Sequence, residues 1–180
     1  GMPMGVSHAH RAILARQTMH PAWEGLGPNN RMLHAGSLNW TYTLGTGLLD
    51  PWTLGATALI PAAGTPVLTL PALLQLSGAT IFAAAPGVFR QMLRTDLPPL
   101  PQLRHGLSAG EALPQPLRLA WQAATGTDLH EAFGMTEVST FLSGSPDRPV
   151  PLGAAGYLQP GRRVAVLGSD DEPVPRGEAG

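Results

Sequence analysis

Between residues 57 and 132, short apolar runs alternate with helix-like segments, and this alternation constrains the fold more than any other feature. Residues 57–60, 80–84, 103–107 and 128–132 have the length and composition of buried strands. Between them, residues 70–77, 86–94 and 114–125 read as helices. Pro86 and Pro114 stand where first-turn prolines are tolerated, and Gly126 is a good helix stop after Thr125. Strands separated by helices imply βαβ units, so the expectation is an α/β fold with a mainly parallel sheet flanked by helices.

Upstream, residues 6–20 lack Pro and Gly and predict a helix, 31–35 a short strand, and the aromatic stretch 40–52 a helix ending near Pro51. Beyond Phe141 the character changes. Residues 162–167 alternate like a half-buried strand, Ser169 to Glu172 form a turn, and 173–180 are extended. The expected division is an α/β core portion over 1–145, then over 146–180 the truncated start of a β-rich subdomain. Gly1 before Met2 reads as a cleavage scar or a genuine glycine, and 177–180 as the middle of a strand connection.

A chain of 180 residues suits one domain that buries roughly 70% of its unfolded surface. With 43% apolar and 13% charged residues it belongs with folded chains. The net charge of −1 gives no basic footprint for nucleic acid or an anionic membrane. No apolar run approaches the ~20 residues of a membrane span, no signal peptide is visible, and a cytoplasmic location is expected. Without cysteine there are no disulfides or thiolate metal sites. All eleven basic residues are arginine, so chemistry that needs a lysine ammonium is closed to this chain alone. Apolar surface near 66–76 is a candidate for self-association.

Glu131-Ala132-Phe133-Gly134-Met135-Thr136-Glu137 packs two acids, an aromatic, a glycine and a hydroxyl into seven residues. An aromatic face can lie against a purine, and glycine lets backbone approach closely. A threonine hydroxyl can bond a phosphate oxygen, and a carboxylate can hold Mg²⁺, which prefers oxygen ligands. Upstream, Ser108-Ala109-Gly110-Glu111 alone would be a turn without a ligand. One helix and one strand separate the two segments. Both follow expected strands, so both open on the sheet edge where ligands gather in α/β folds.

Gly106-Leu107-Ser108-Ala109-Gly110 also fits G-x-S-x-G, the nucleophile elbow of serine hydrolases. That reading needs a downstream acid and then a histidine. His130 is the only later histidine, and Asp128, two residues before it on one strand, is a poor partner. His8 and His10, two apart on a helix, point in different directions and suit a solvated role better than a metal pair.

Together these segments resemble the acyl-CoA synthetase branch of the adenylate-forming superfamily. Pro3-Met4-Gly5-Val6-Ser7-His8-Ala9-His10 is similar to the end of that family's phosphate loop. Asn39-Trp40 and Asp50-Pro51-Trp52-Thr53-Leu54-Gly55-Ala56 resemble the Gly-Trp and Pro-Trp-x-x-Gly-Ala pattern of acetyl-, medium-chain and aryl-acid CoA ligases. Ser108-Ala109-Gly110-Glu111-Ala112-Leu113 resembles the adenine-side loop, and Glu131 to Glu137 the Tyr-Gly-x-Thr-Glu motif with Phe133 in the tyrosine place. Gly153 to Gly161 and Asp171 to Glu178 resemble the approach to the following β subdomain.

The resemblance implies that ATP activates a small-molecule carboxylic acid to an acyl-adenylate, which coenzyme A then receives. On that basis Thr136 touches phosphate and Glu137 holds Mg²⁺. Ser108, Ala109, Gly110, Glu111 and Ala112, with Glu131, Ala132, Phe133, Gly134, Met135 and Thr136, bind the nucleotide. Phe133 walls the adenine against Gly110-Glu111-Ala112, Glu131 lies near the purine amino group, and Trp40 with Ala84-Ala85-Pro86 lines the acyl pocket. Trp40 and the 50–56 stretch lean towards short, medium-chain or aromatic acids.

The chain also departs from the pattern. Met4 stands where the family has lysine, and the Ser/Thr/Gly-rich part of the phosphate loop is missing. The family's ribose-binding aspartate and C-terminal catalytic lysine have no counterpart before Gly180. The expectation is therefore a ligase fragment with little activity alone. The alternatives are a non-catalytic nucleotide-binding remnant or scaffold, or a hydrolase using Ser108.

Overall fold

The computed structural model describes residues 4–151 and 153–180. The readings placed on Gly1, Met2 and Pro3 lie outside the described residues. Among those residues the chain forms a sheet of seven strands: β1 Arg31–His34, β2 Thr57–Leu59, β3 Ile81–Ala84, β4 His105–Ala109, β5 Asp128–Met135, β6 Ser139–Ser143 and β7 Tyr157–Leu158. Their order is β2-β1-β3-β4-β5-β6-β7. Pairings from β2 through β5 are parallel, while β5–β6 and β6–β7 are antiparallel. The helices are α1 Ala12–Ala15, α2 Thr41–Leu44, α3 Asp50–Thr53, α4 Leu70–Ser77, α5 Pro86–Met92 and α6 Gln115–Thr125. The expected α/β fold with a mainly parallel sheet is the observed one. No described helix is long and apolar enough to cross a membrane.

Parallel strands carry apolar residues on both faces because helices cover both, and β3 shows how the two-residue period divides them. Phe82 and Ala84 face one cluster with Leu74, Phe89, Met92 and Trp121, supplied by α4, α5 and α6. Ile81 and Ala83 face the other, with Met19, Trp23, Tyr42 and Leu107. Phe89 is T-shaped to both Phe82 and Trp121, with centroids 5.1 and 4.9 Å apart. Such pairs add about 0.5–1.5 kcal/mol each beyond the area they bury.

Several expectations are corrected. The helix expected over 6–20 starts only at Ala12 and continues as a 3-10 turn, Arg16–Thr18, and a π turn, His20–Glu24, past the old boundary. The segment 40–52 is helical but passes through a π turn, Gly45–Leu49, between α2 and α3. β4 lies two residues later than expected, which puts Ser108 inside the strand. β5 runs on to Met135 and pairs with β6, a hairpin the composition did not announce. Residues 162–167 form no strand; only Leu167 bridges to Pro173. β7 pairs with β6 at the edge of the sheet. Leu68 and Leu76 are exposed, in the stretch marked for association.

Candidate active site

Register carries the predicted segments to one edge. Ala84 pairs with Ser108 and Ser108 with Glu131, while Ala109 pairs with Ala132. The carboxyl ends of β3 and β4 and the outer half of β5 therefore lie side by side, the edge that collects ligands in α/β sheets. Past Ala109 the chain turns at Gly110, whose φ of +98° suits only glycine. The turn rests on the edge of Trp40. Trp40 packs edge-on to Tyr42 (5.1 Å), whose hydroxyl donates to the Leu107 carbonyl at 3.1 Å. Trp40 is thus tied to the strand it borders.

Opposite, β5 delivers Gly134 and Met135 to the same cleft, and Thr136, Glu137 and Val138 form the hairpin turn. The Thr41 hydroxyl donates to Thr136 Oγ1 at 2.9 Å, and His8 Nε2 donates to the Thr136 carbonyl at 2.8 Å. Arg16, Trp40, Thr41, Gly110, Thr136 and Ser139 wall a cleft of about 70 Å³. Arg16, Thr41 and Ser139 also border a second cavity of about 380 Å³, lined by His8, Leu44, Glu137 and Arg162. The larger one alone falls within the roughly 300–1,000 Å³ usual for small-molecule sites.

The remaining expected residues divide clearly. Glu137 is exposed, faces the larger cavity and has no ion pair among the described residues. Phe133 is half exposed and packs on Phe141, centroids 4.8 Å apart. Glu111 and Ala112 are exposed on the turn, close to the start of α5, where a Cβ on Gly87 would lie 3.8 Å from Glu111 Oε1. Glu131 is already engaged: Oε1 accepts the Leu113 N–H at 2.8 Å and Oε2 faces Arg118 at 3.5 Å. Burial raises its pKa, against the opposing pull of Leu113 and Arg118. Its carboxylate fastens the Ala112 turn to β5. Ala84 is buried in the sheet, Ala85 caps α5 and Pro86 begins it; none of the three lines the two cavities. Ser108 has no exposed surface and its Oγ has no partner, the opposite of a displayed elbow nucleophile.

Sequence reasoning missed the polar group behind the cleft. Arg16 binds both carboxylate oxygens of Asp50, with Nε to Oδ1 at 2.8 Å, and reaches Thr46 and Ser139. His20 lies 3.7 Å from Asp50 and 3.9 Å from Glu24, which is fully buried with no bonded oxygen. Burial opposes Asp50's charge, but His20 close by and the hydrogen bonds from Arg16 hold its carboxyl well below the usual range. Burial, and then the Asp50 charge, push the Glu24 carboxyl well above the usual range. His20, Glu24 and Asp50 are close enough together to suggest a cation site. Both Asp50 oxygens, however, already take guanidinium donors. His20 and Glu24 do show an i,i+4 spacing in the sequence, but nothing there links them to Asp50.

Comparison with known proteins places the chain in a family. The family model "AMP-binding enzyme" matches residues 1–180. The chain is 28% identical over 163 residues to the 3-hydroxybenzoate–CoA ligase of Aromatoleum sp. (strain CIB), covering 84% of the chain and 31% of that protein. It is 30% identical over 142 residues to the mitochondrial acyl-coenzyme A synthetase ACSM2 of Rattus norvegicus, covering 76% of the chain and 24% of that protein. A benzoate CoA ligase structure from Burkholderia xenovorans LB400 superposes with TM-score 0.86 at 31% identity, over 97% of the chain and 36% of the other. The anthranilate CoA ligase AuaEII, solved with anthranoyl-AMP, gives TM-score 0.86 at 29% identity, over 99% and 35%. The chain spans about a third of the length of these relatives or less. With the family model matched over residues 1–180, the chain belongs to the AMP-binding enzyme family.

Proposed function

We propose that this chain forms the adenine-side and acyl-side walls of an acid–CoA ligase, which joins a carboxylic acid to the α-phosphate of ATP and passes the acyl group to coenzyme A. The observation that carries the reading is the cleft shared by the Gly110 turn, the Gly134–Thr136 segment and Trp40. Phe133, half exposed and one residue beyond the Ala109–Ala132 pair, would offer its ring to adenine in this reading. In this reading the Thr136 hydroxyl, on the wall of the cleft, donates to a phosphate oxygen as charge develops there, the moment at which a preplaced donor is worth most. An aromatic acid is the preferred substrate class, since the bordering indole of Trp40 suits a flat ring and several similar ligases are named for benzoate-type acids.

Glu137 fits a magnesium site: it is an exposed, unpaired carboxylate, and Mg²⁺ is commonly held by one or two carboxylates plus substrate phosphates. When bound, the ion neutralises phosphate charge. Glu137 would hold it, Thr136 would orient the phosphate, and the polar wall with Thr41 would keep the threonine in place. For the chain by itself, the lack of any lysine favours nucleotide binding without turnover.

Calorimetric titration with AMP, and with ATP in the presence of Mg²⁺, tests the reading. Saturable binding is expected, weakened in Thr136→Val and made independent of Mg²⁺ in Glu137→Gln. Binding that neither substitution changes, or no binding at all, would overturn it.

A further inference from the structure

A guanidinium at the wall of a ligand cleft needs an explanation, because a buried ion pair is not in itself a good source of stability. Arg16 is seated in a built cradle. A Cβ on Gly45 would overlap its guanidinium, so only glycine leaves room for it there. Thr46 and Asp50 follow on the same helical run, and Ser139 reaches across from β6. Three elements thus converge to hold one side chain that is 11% exposed and borders both cavities.

The donor count leaves something over. Arginine has five N–H groups. One on Nε goes to Asp50, two on Nη2 go to Asp50 and Thr46, and one on Nη1 goes to Ser139. The second Nη1 hydrogen has no partner among the described residues. The cleft it borders is lined by the hydroxyls of Thr41, Thr46, Ser139 and Thr140 and also by Trp40 and Ala109. A ligand with a flat apolar body against Trp40 would share this cleft with Arg16.

Charge decides what such a ligand presents to Arg16. Asp50 takes the guanidinium on both of its oxygens, so the pair has no spare positive charge to offer a second carboxylate. A neutral acceptor suits it better. Resting on the ligase reading above, we propose that Arg16 is a specificity residue: it donates a hydrogen bond to a hydroxyl or carbonyl oxygen on the ring of the acid, so that the site selects ring-oxygenated aromatic acids over unsubstituted ones. Asp50 is a positioning residue in this arrangement, since it acts on the ligand only through Arg16.

The probes are the stable adenylate mimic benzoyl-sulfamoyl-adenosine and its ring-hydroxylated counterparts, titrated into this chain. The native chain should bind the best hydroxylated probe at least about tenfold more tightly than the plain one, the usual worth of a hydrogen bond to a charged group. Arg16→Lys keeps a cation but loses the fork, and should reduce the preference several-fold. Arg16→Met with Asp50→Leu removes both charges together, an exchange that buried pairs tolerate, and should bring the ratio close to one. A native ratio near one with the plain probe bound would sink this inference and leave the ligase reading standing. A preference that survives the double substitution would also sink it. Failure of every probe to bind would remove the cleft reading and this inference with it.

Discussion

A Cβ built on Gly110 would stand 2.7 Å from Cη2 of Trp40, so the turn after β4 sits on the indole with no room for a larger residue. This contact joins the adenine-side turn to the acyl-side wall. Gly110→Ala meets both the clash and the strain of φ +98°, and should cost roughly 1–3 kcal/mol in urea unfolding. Adding Trp40→Leu should recover the part due to the clash and not the part due to the backbone. Full recovery would mean the backbone there is unstrained.

Breaking the buried pair behind the cleft should be more costly. Asp50→Ala leaves the Arg16 guanidinium, 11% exposed, without its counter-charge. Loss of one partner from a buried pair costs about 3–5 kcal/mol. Chemical denaturation measures it directly, and a loss below about 1 kcal/mol would show that water reaches Arg16 freely.

Three buried histidines set the acid limit. Burial holds His34 at about 3 and, with His105 and Arg118 nearby, His130 at about 4; burial also lowers His105. Each is neutral in the fold and binds a proton more readily in the unfolded chain, whose histidines titrate near 6.5. Stability is therefore complete above about pH 6.5 and falls as pH drops towards 4, by roughly 3 kcal/mol for His34 alone. Unfolding free energies at pH 7, 5.5 and 4.5 should decrease in that order, and His34→Gln should flatten the slope.

Much of this was legible in the sequence for physical reasons. β3 is central and buried along its length, so it had to be apolar on both faces, and Gly126 marks the end of α6 as expected. The motif residues could be grouped because each stretch lies at or just past the carboxyl end of a strand of one mainly parallel sheet. The hairpin β5–β6 was not legible, since Phe133 to Ser139 mixes polar, glycine and apolar residues and its pairing depends on a partner strand rather than on local pattern. The irregular N-terminal helix was misjudged because only tertiary contacts with Asp50 and Ser139 fix Arg16. The Arg16–Asp50–Glu24 group stayed hidden because its members are 34 and 26 residues apart in the chain and meet only in the fold.

Glu131 links the two turns through Leu113, and its role separates by substitution. Glu131→Gln keeps an acceptor for the Leu113 N–H and should cost under about 1 kcal/mol. Glu131→Ala leaves that donor and Arg118 without a partner and should cost about 1–3 kcal/mol. Adenosine affinity should follow the same order. Equal losses in both variants would mean that the charge, and not the hydrogen bond to the turn, is what matters.

The most direct measurement is backbone amide perturbation by NMR during titration with AMP or a benzoyl-adenylate mimic. Saturating shifts should appear together at Gly110 to Leu113 and at Phe133 to Glu137, with the Trp40 indole N–H moving at the same ligand concentration. Shifts confined to one of the two turns, or centred on another part of the surface, would contradict the shared cleft.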